Sequence, residues 1–286
     1  MIGAIPGCKP IWMILSRPPL LKRGLSLAWH ALYHFFWPQF QTRLNPRLRP
    51  VAVLSHPLDR RIPFLPREVR TYLGYMGFWL KSLRFLYDLL GKAAIADIRE
   101  SIDQVCVLYR EAGSIYRRCQ STTTTRSAPP LNPWFAAIYL FDPHLHCIPS
   151  LHVLVICYNW RRLAEILRRR GRLEGEGLSA VHEAQAQAVR VSEAILAVRQ
   201  HSLADIAPSL FLLSCRYREF GQEEVSQYAG TLFRRWRLPE PIKRSMRDCI
   251  LDGYREMRRR LSCGPNNTCR ELLLRFLAEY IPKADS

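Results

Sequence analysis

The sequence predicts an all-α fold: a helical bundle with a helical C-terminal extension. Three observations predict it. Apolar residues recur at alternating three- and four-residue spacing in Val181, Ala184, Ala188, Val191, Ile195 and Val198, and a second stripe runs through Ile242, Met246, Ile250, Tyr254, Met257 and Leu261. That is the period of a helix with one buried face. Alternation of period two, the mark of a half-buried strand, is nearly absent. Proline and glycine punctuate the chain between the periodic stretches.

Taken in order, residues 22–44 read as one helix, ended by Asn45 and Pro46. The proline-rich stretch 46–66 reads as an extended connector. Residues 67–92 read as a helix ended near Gly91, and 93–112 as another ended by Gly113. Residues 119–133, with four threonines and three prolines, form a loop. A helix then runs from Ser150 to about residue 170, and the stretch 171–177 is a turn. The Val181–Val198 stripe is alanine-rich, so a neighbouring helix can approach it closely. Past Pro208 the character changes, and 218–280 is charged and helical, broken at Pro239 and Pro241. The chain divides accordingly into an N-terminal helical segment (1–45), a core (46–217) and a charged extension (218–286).

A chain of 286 residues with 48% apolar composition can bury a sizeable core. Its charge is less ordinary: 42 Lys and Arg against 24 Asp and Glu give +18, and the pI is about 10.0. Arginine runs at 161–162, 168–172, 234–237 and 258–260 favour anionic partners: lipid headgroups, an anionic membrane surface or phosphorylated substrates, with nucleic acid the least favoured. Solvated helix faces explain such runs equally well.

A membrane-spanning helix needs ~20 mostly apolar residues, and no stretch qualifies cleanly. Residues 25–40 are short and carry His30, His34 and Pro38; Lys81, Arg84 and Asp88 interrupt 71–90; Asp142, histidines and prolines interrupt 133–160. No secretory signal is evident. The expectation is peripheral or weakly integral membrane association, or a cytoplasmic protein, with Trp29, Trp37, Trp79 and Trp160 serving an interface or a core. Nine cysteines show no framework and read as reduced thiols; Cys263 and Cys269 are the one close pair. No structural zinc motif accompanies them, and His144 with His146 is a lone His-x-His.

Two short motifs carry chemistry. Pro149-Ser150-Leu151-His152-Val153 sets a hydroxyl and an imidazole two residues apart at a helix start, where backbone N–H groups favour a bound anion. Arg199-Gln200-His201, followed by Asp205, sets an imidazole four residues from a carboxylate. On a helix those two side chains share a face, so Asp205 would fix the tautomer of a nucleophilic His201, and His152 would serve as general acid. The bland readings are a surface ion pair and an ordinary N-cap.

The order of these motifs resembles the type 2 phosphatidic acid phosphatase superfamily, which also holds vanadium haloperoxidases and bacterial acid phosphatases. The likeness is to the branch with inositolphosphotransferase-type motifs, Pro-Ser-Leu-His-Val and Lys-Gln-His. The segment Pro57-Leu58-Asp59-Arg60-Arg61-Ile62-Pro63-Phe64 resembles one that precedes that family's first core helices. The likeness covers roughly residues 50–215. It implies that His201 attacks phosphorus to form a phosphohistidine supported by Asp205, that His152 protonates the leaving oxygen, and that Ser150, Arg126 and Arg199 bind the phosphoryl oxygens. It implies neither metal nor cofactor. The chain departs from the family's first motif: Ser127 follows Arg126 where proline is expected, Cys119 stands in the lysine position, and Arg118 is one residue off as its substitute. Ile195 stands where the third motif has an arginine.

Three functions follow, in this order. The first is a metal-independent phosphatase or phosphotransferase acting on a phosphate monoester or lipid phosphate. The second is a vanadate-dependent haloperoxidase. The third is a catalytically weakened relative that binds anionic membrane or nucleic acid.

Overall fold

The computed structural model describes residues 1–124, 133–142, 144–263 and 268–281. It is an all-α bundle with one pair of short strands.

Three helices form an N-terminal layer: α1 (Cys8–Leu15), α2 (Pro18–Ala31) and α3 (Trp37–Leu44). The residues between the last two, Leu32–Phe36, form a π turn, so 18–44 is one continuous helix ending, as expected, at Asn45. It starts earlier than the sequence suggested, because Pro18 and Pro19 occupy its first turn, where their missing N–H groups cost nothing. Helix α1 was not foreseen.

The connector contains β1 (Val51–Leu54), which pairs in parallel with β2 (Gln120–Thr123). An isolated bridge joins Ser121 to His146 on the same ladder. Next come α4 (Val69–Leu73) and α5 (Tyr75–Leu90), divided at Gly74, and α6 (Ile95–Tyr116). Gly113 does not end α6. It lies inside that helix, and a Cβ there would fall 2.6 Å from the His34 Cβ; the glycine lets the π turn seat against α6.

After α7 (Pro133–Phe141), helices α8 (Leu151–Arg169) and α9 (Gly175–Ala197) form a hairpin. All six residues of the predicted α9 stripe are buried. Each large apolar side chain in it contributes ~1.5–3 kcal/mol by leaving water, and the alanines let α8 pack close. The hairpin brings the first turn of α8 beside the end of α9, and the candidate site forms there. The chain closes with α10 (Ile206–Arg216), α11 (Gln222–Thr231), α12 (Glu240–Cys263) and α13 (Cys269–Ala278).

One hydrophobic cluster runs from Ile2 to Leu277. The N-terminal segment, the core and the extension all contribute to it, with Met246, Ile250, Tyr254 and Met257 of α12 buried. The thiol expectation needs correcting: Cys215 and Cys269 form a disulfide across 54 residues. Cys263, the neighbour in sequence, stays free and exposed, because Cys215 on α10 faces the start of α13.

The arginine runs at 161–162 and 168–170 pair with carboxylates. Arg161 pairs with Glu224, Arg162 with Glu100 and Glu165, Arg168 with Glu219, and Arg169 and Arg170 with Asp97.

Candidate active site

The segment before α8 is laid onto β2. The Ile148 N–H donates to Ser121 Oγ at 2.8 Å, and the Cys147 N–H to the Ser121 carbonyl at 3.2 Å. The Tyr116 hydroxyl donates to the Pro149 carbonyl. Ser150 takes the N-cap position in extended conformation but makes no side-chain cap bond. Its N–H donates to Ser209 Oγ at 2.7 Å, and that hydroxyl donates to the Asp205 carbonyl at 2.7 Å. The start of α8 is thereby tied to the start of α10.

Helix α9 ends in a Schellman cap. The Gln200 N–H returns to the Ile195 carbonyl and the Arg199 N–H to the Leu196 carbonyl. Arg199 occupies the left-handed position of that cap at φ +56°, where glycine is the usual resident. Its guanidinium lies 5.3 Å over the Phe64 ring.

His201 follows the cap, off the helix. The i, i+4 helical face expected for His201 and Asp205 is therefore absent, because 203–205 is a separate 3-10 turn. Asp205 is fully buried and folds back through a capping box. Its Oδ2 accepts from His201 Nδ1 at 2.8 Å and from the Ser202 N–H at 3.1 Å. Asp59 braces the same turn from outside, accepting from Ser202 Oγ at 2.6 Å, the Leu203 N–H at 2.9 Å and the His56 N–H at 2.8 Å. Asp59 lies in the connector, in the segment that resembles the family's, but its brace on this turn is not written in the sequence.

His152, on the first turn of α8, meets His201 edge to face, with ring centroids 5.6 Å apart at 74°. Tyr72 and Tyr75 pack on His152, with centroids at 4.3 and 4.2 Å. Burial, reinforced by the neighbouring His201, holds the His152 pKa well below the usual imidazole value. Burial raises Asp205 to about 6, against the opposing pull of its bond from His201.

His201 lines two spaces. One is a small cleft of about 10 Å³ whose walls include Cys147, His144, His146, His152 and Gln200, room for about one water. The other is a hollow of about 260 Å³ bounded by Asp59, Arg60, Ile62, Leu196, Arg199 and His201. Arg60 was not foreseen as a site residue; its place in the Pro57–Phe64 segment that resembles the family's was the available signal.

Of the predicted residues, His152, His201 and Asp205 come together, and Arg199 lines the hollow beside them. Ser150 is buried at the base of α8 with an unpartnered hydroxyl and lines neither space. Arg118 is exposed and its charge acts on Glu271 of α13, so the structure does not bring it to the site. Arg126 lies outside the described residues. His144 and His146 are both buried on the small cleft: His144 Nε2 is 3.0 Å from Thr123 Oγ1, and His146 stacks on Tyr116 at 3.7 Å.

Cys147, His201 and Asp205 offer ligand atoms within 4.8 Å of one another, a buried donor set that could hold a metal ion. No helix among the described residues is long and apolar enough to cross a membrane. The chain matches no protein-family model, and neither curated proteins nor solved structures yield a match.

Proposed function

We propose that the protein is a metal-independent phosphatase or phosphotransferase that acts on a phosphate monoester or lipid phosphate through a phosphohistidine at His201. One observation carries the reading. An imidazole oriented by a buried carboxylate stands 5.6 Å from a second buried imidazole and opens on an arginine-lined hollow.

With Nδ1–H donated to Asp205, Nε2 of His201 carries the lone pair. The 10 Å³ cleft is too small for a phosphoryl group, so the phosphate belongs in the 260 Å³ hollow, facing Arg199 and Arg60. Fixed positive charge around the transferring oxygens supplies most of the catalysis in such reactions. In the first step Nε2 attacks phosphorus, the ester P–O bond breaks, and the leaving oxygen takes a proton. In the second, water or an acceptor alcohol attacks phosphorus, its proton passing to His152 by way of the water-sized cleft that His152 and His201 both line, and the P–N bond breaks. His152 is uncharged at neutral pH, which suits it to the second step. To donate in the first it must be charged by the approaching phosphate, whose negative field raises its pKa.

The test is turnover of 4-nitrophenyl phosphate by the full chain and by His201→Ala, with acid-stable and acid-labile phosphoprotein measured after rapid quenching. The wild type is expected to accumulate an acid-labile, base-stable phosphoprotein, and the variant to lose both that species and ~10³-fold or more in rate. Undiminished turnover in the variant would overturn the reading.

A further inference from the structure

The N-terminal layer presents a surface that the phosphoryl reading does not use. Trp12 is 69% exposed, Trp29 62% and Trp37 58%. Leu25, Trp29, Leu32 and Trp37 follow one another at three-, four- and five-residue steps along the continuous helix formed by α2, the π turn and α3, and all are exposed. Scattered exposed apolar residues are ordinary, but a contiguous aromatic and aliphatic stripe marks a contact surface.

Charge identifies the partner. Residues 1–58 contain Lys9, Arg17, Lys22, Arg23, Arg43, Arg47 and Arg49 and no aspartate or glutamate. Lys9, Lys22 and Arg47 are exposed and make no ion pair among the described residues. Lys22 lies one helical turn before Leu25, at the end of the stripe. The arginines of α8, by contrast, are paired with carboxylates, as Arg23 is with Asp103. An apolar face carrying tryptophans, on a segment that has lysine and arginine and no acidic residue of its own, matches the boundary between hydrocarbon and anionic headgroups.

A hollow of about 480 Å³ opens on the same face, between α1, α2, α5 and α6. The exposed Ile11, Leu15 and Leu25 stand at its lining, and Ala28, Met76 and Tyr75 line it as well. Its lining is almost wholly apolar, which suits a hydrocarbon chain and offers nothing to a polar ligand.

We infer that the layer formed by residues 8–44 docks in the plane of an anionic phospholipid bilayer, inserting Trp12, Trp29 and Trp37 at the headgroup boundary and taking one acyl chain of that leaflet into the hollow. The helix lies on the membrane and does not span it. The inference is independent of the phosphohistidine chemistry, so either can fail alone.

Flotation of the full chain with vesicles tests it. Phosphatidylcholine vesicles containing about a third phosphatidylserine are compared with phosphatidylcholine alone. Strong capture by the anionic vesicles is expected, weakened by salt, with quenching of tryptophan fluorescence by acyl-brominated lipid. The variant Trp12→Glu/Trp29→Glu changes two exposed side chains and should keep its helical circular dichroism, yet lose vesicle affinity by about tenfold or more. Turnover of soluble 4-nitrophenyl phosphate should be unchanged in that variant. Three results would each overturn the inference: no capture by anionic vesicles, capture that persists in the folded double variant, or a wild-type dimer in solution that the same double variant dissociates, which would make a second copy the occupant of this face.

Discussion

His201 and Asp205 stand four positions apart, yet their 2.8 Å contact crosses a capping turn instead of running along a helix face. The same carboxylate oxygen receives the Ser202 N–H. One atom therefore orients the imidazole and closes the turn that carries it, and Asp59 holds that turn from the other side.

This arrangement predicts a pH profile. Burial places Asp205 at about 6, so as pH falls through 6 the carboxylate gains a proton and ceases to polarise Nδ1–H. The acid limb of kcat/KM for 4-nitrophenyl phosphate is expected near pH 6. Asp205→Asn keeps an acceptor for the turn but removes the charge, and should cost ~10²–10⁴ in rate. The residual rate of that variant should lack the limb at pH 6. A limb of equal position in the variant would assign it to another group.

Arg199 should trade stability for anion binding. Its left-handed conformation costs about 1 kcal/mol or more in a residue with a Cβ, only partly offset by about 0.5 kcal/mol from stacking on Phe64. Arg199→Gly is expected to raise the urea midpoint slightly, by about 0.5 kcal/mol in stability. The same change should weaken inhibition by inorganic phosphate about tenfold, through loss of a charge-assisted contact. A less stable variant with unchanged phosphate affinity would make Arg199 a structural residue only.

Glu193 gives a stability prediction remote from the site. It is buried on α9, accepts the Phe233 N–H at 2.5 Å, and burial raises its pKa from 4.5 to about 7. A carboxyl with a raised folded pKa stabilises the fold fully below its unfolded value and loses that contribution as pH rises through the folded one. Glu193→Gln keeps the acceptor and removes the charge. Urea denaturation should find the variant about 2–3 kcal/mol more stable than wild type at pH 8 and nearly equal at pH 4.5. Equal stability at both would show that Glu193 reaches solvent when charged.

Local features are the ones legible in the chain. The apolar stripes of α9 and α12 are written in their spacing, as are the proline-led start of α8 and the pairing of His201 with Asp205, because periodicity and capping depend on residues a turn or two apart. The π turn, the role of Gly113 and the strand pair were not legible, since each answers to a neighbour far along the chain: His34 against α6, or β1 against β2. Only tertiary packing decided that α8 and α9 fold back so that His152 faces His201, that Asp59 and Arg60 leave a connector to brace and edge the site, and that Cys215 reaches Cys269 in preference to the nearer Cys263. Contacts of that kind form where buried area, summed over the whole core, outweighs the entropy of closing long loops, and no short motif records that balance.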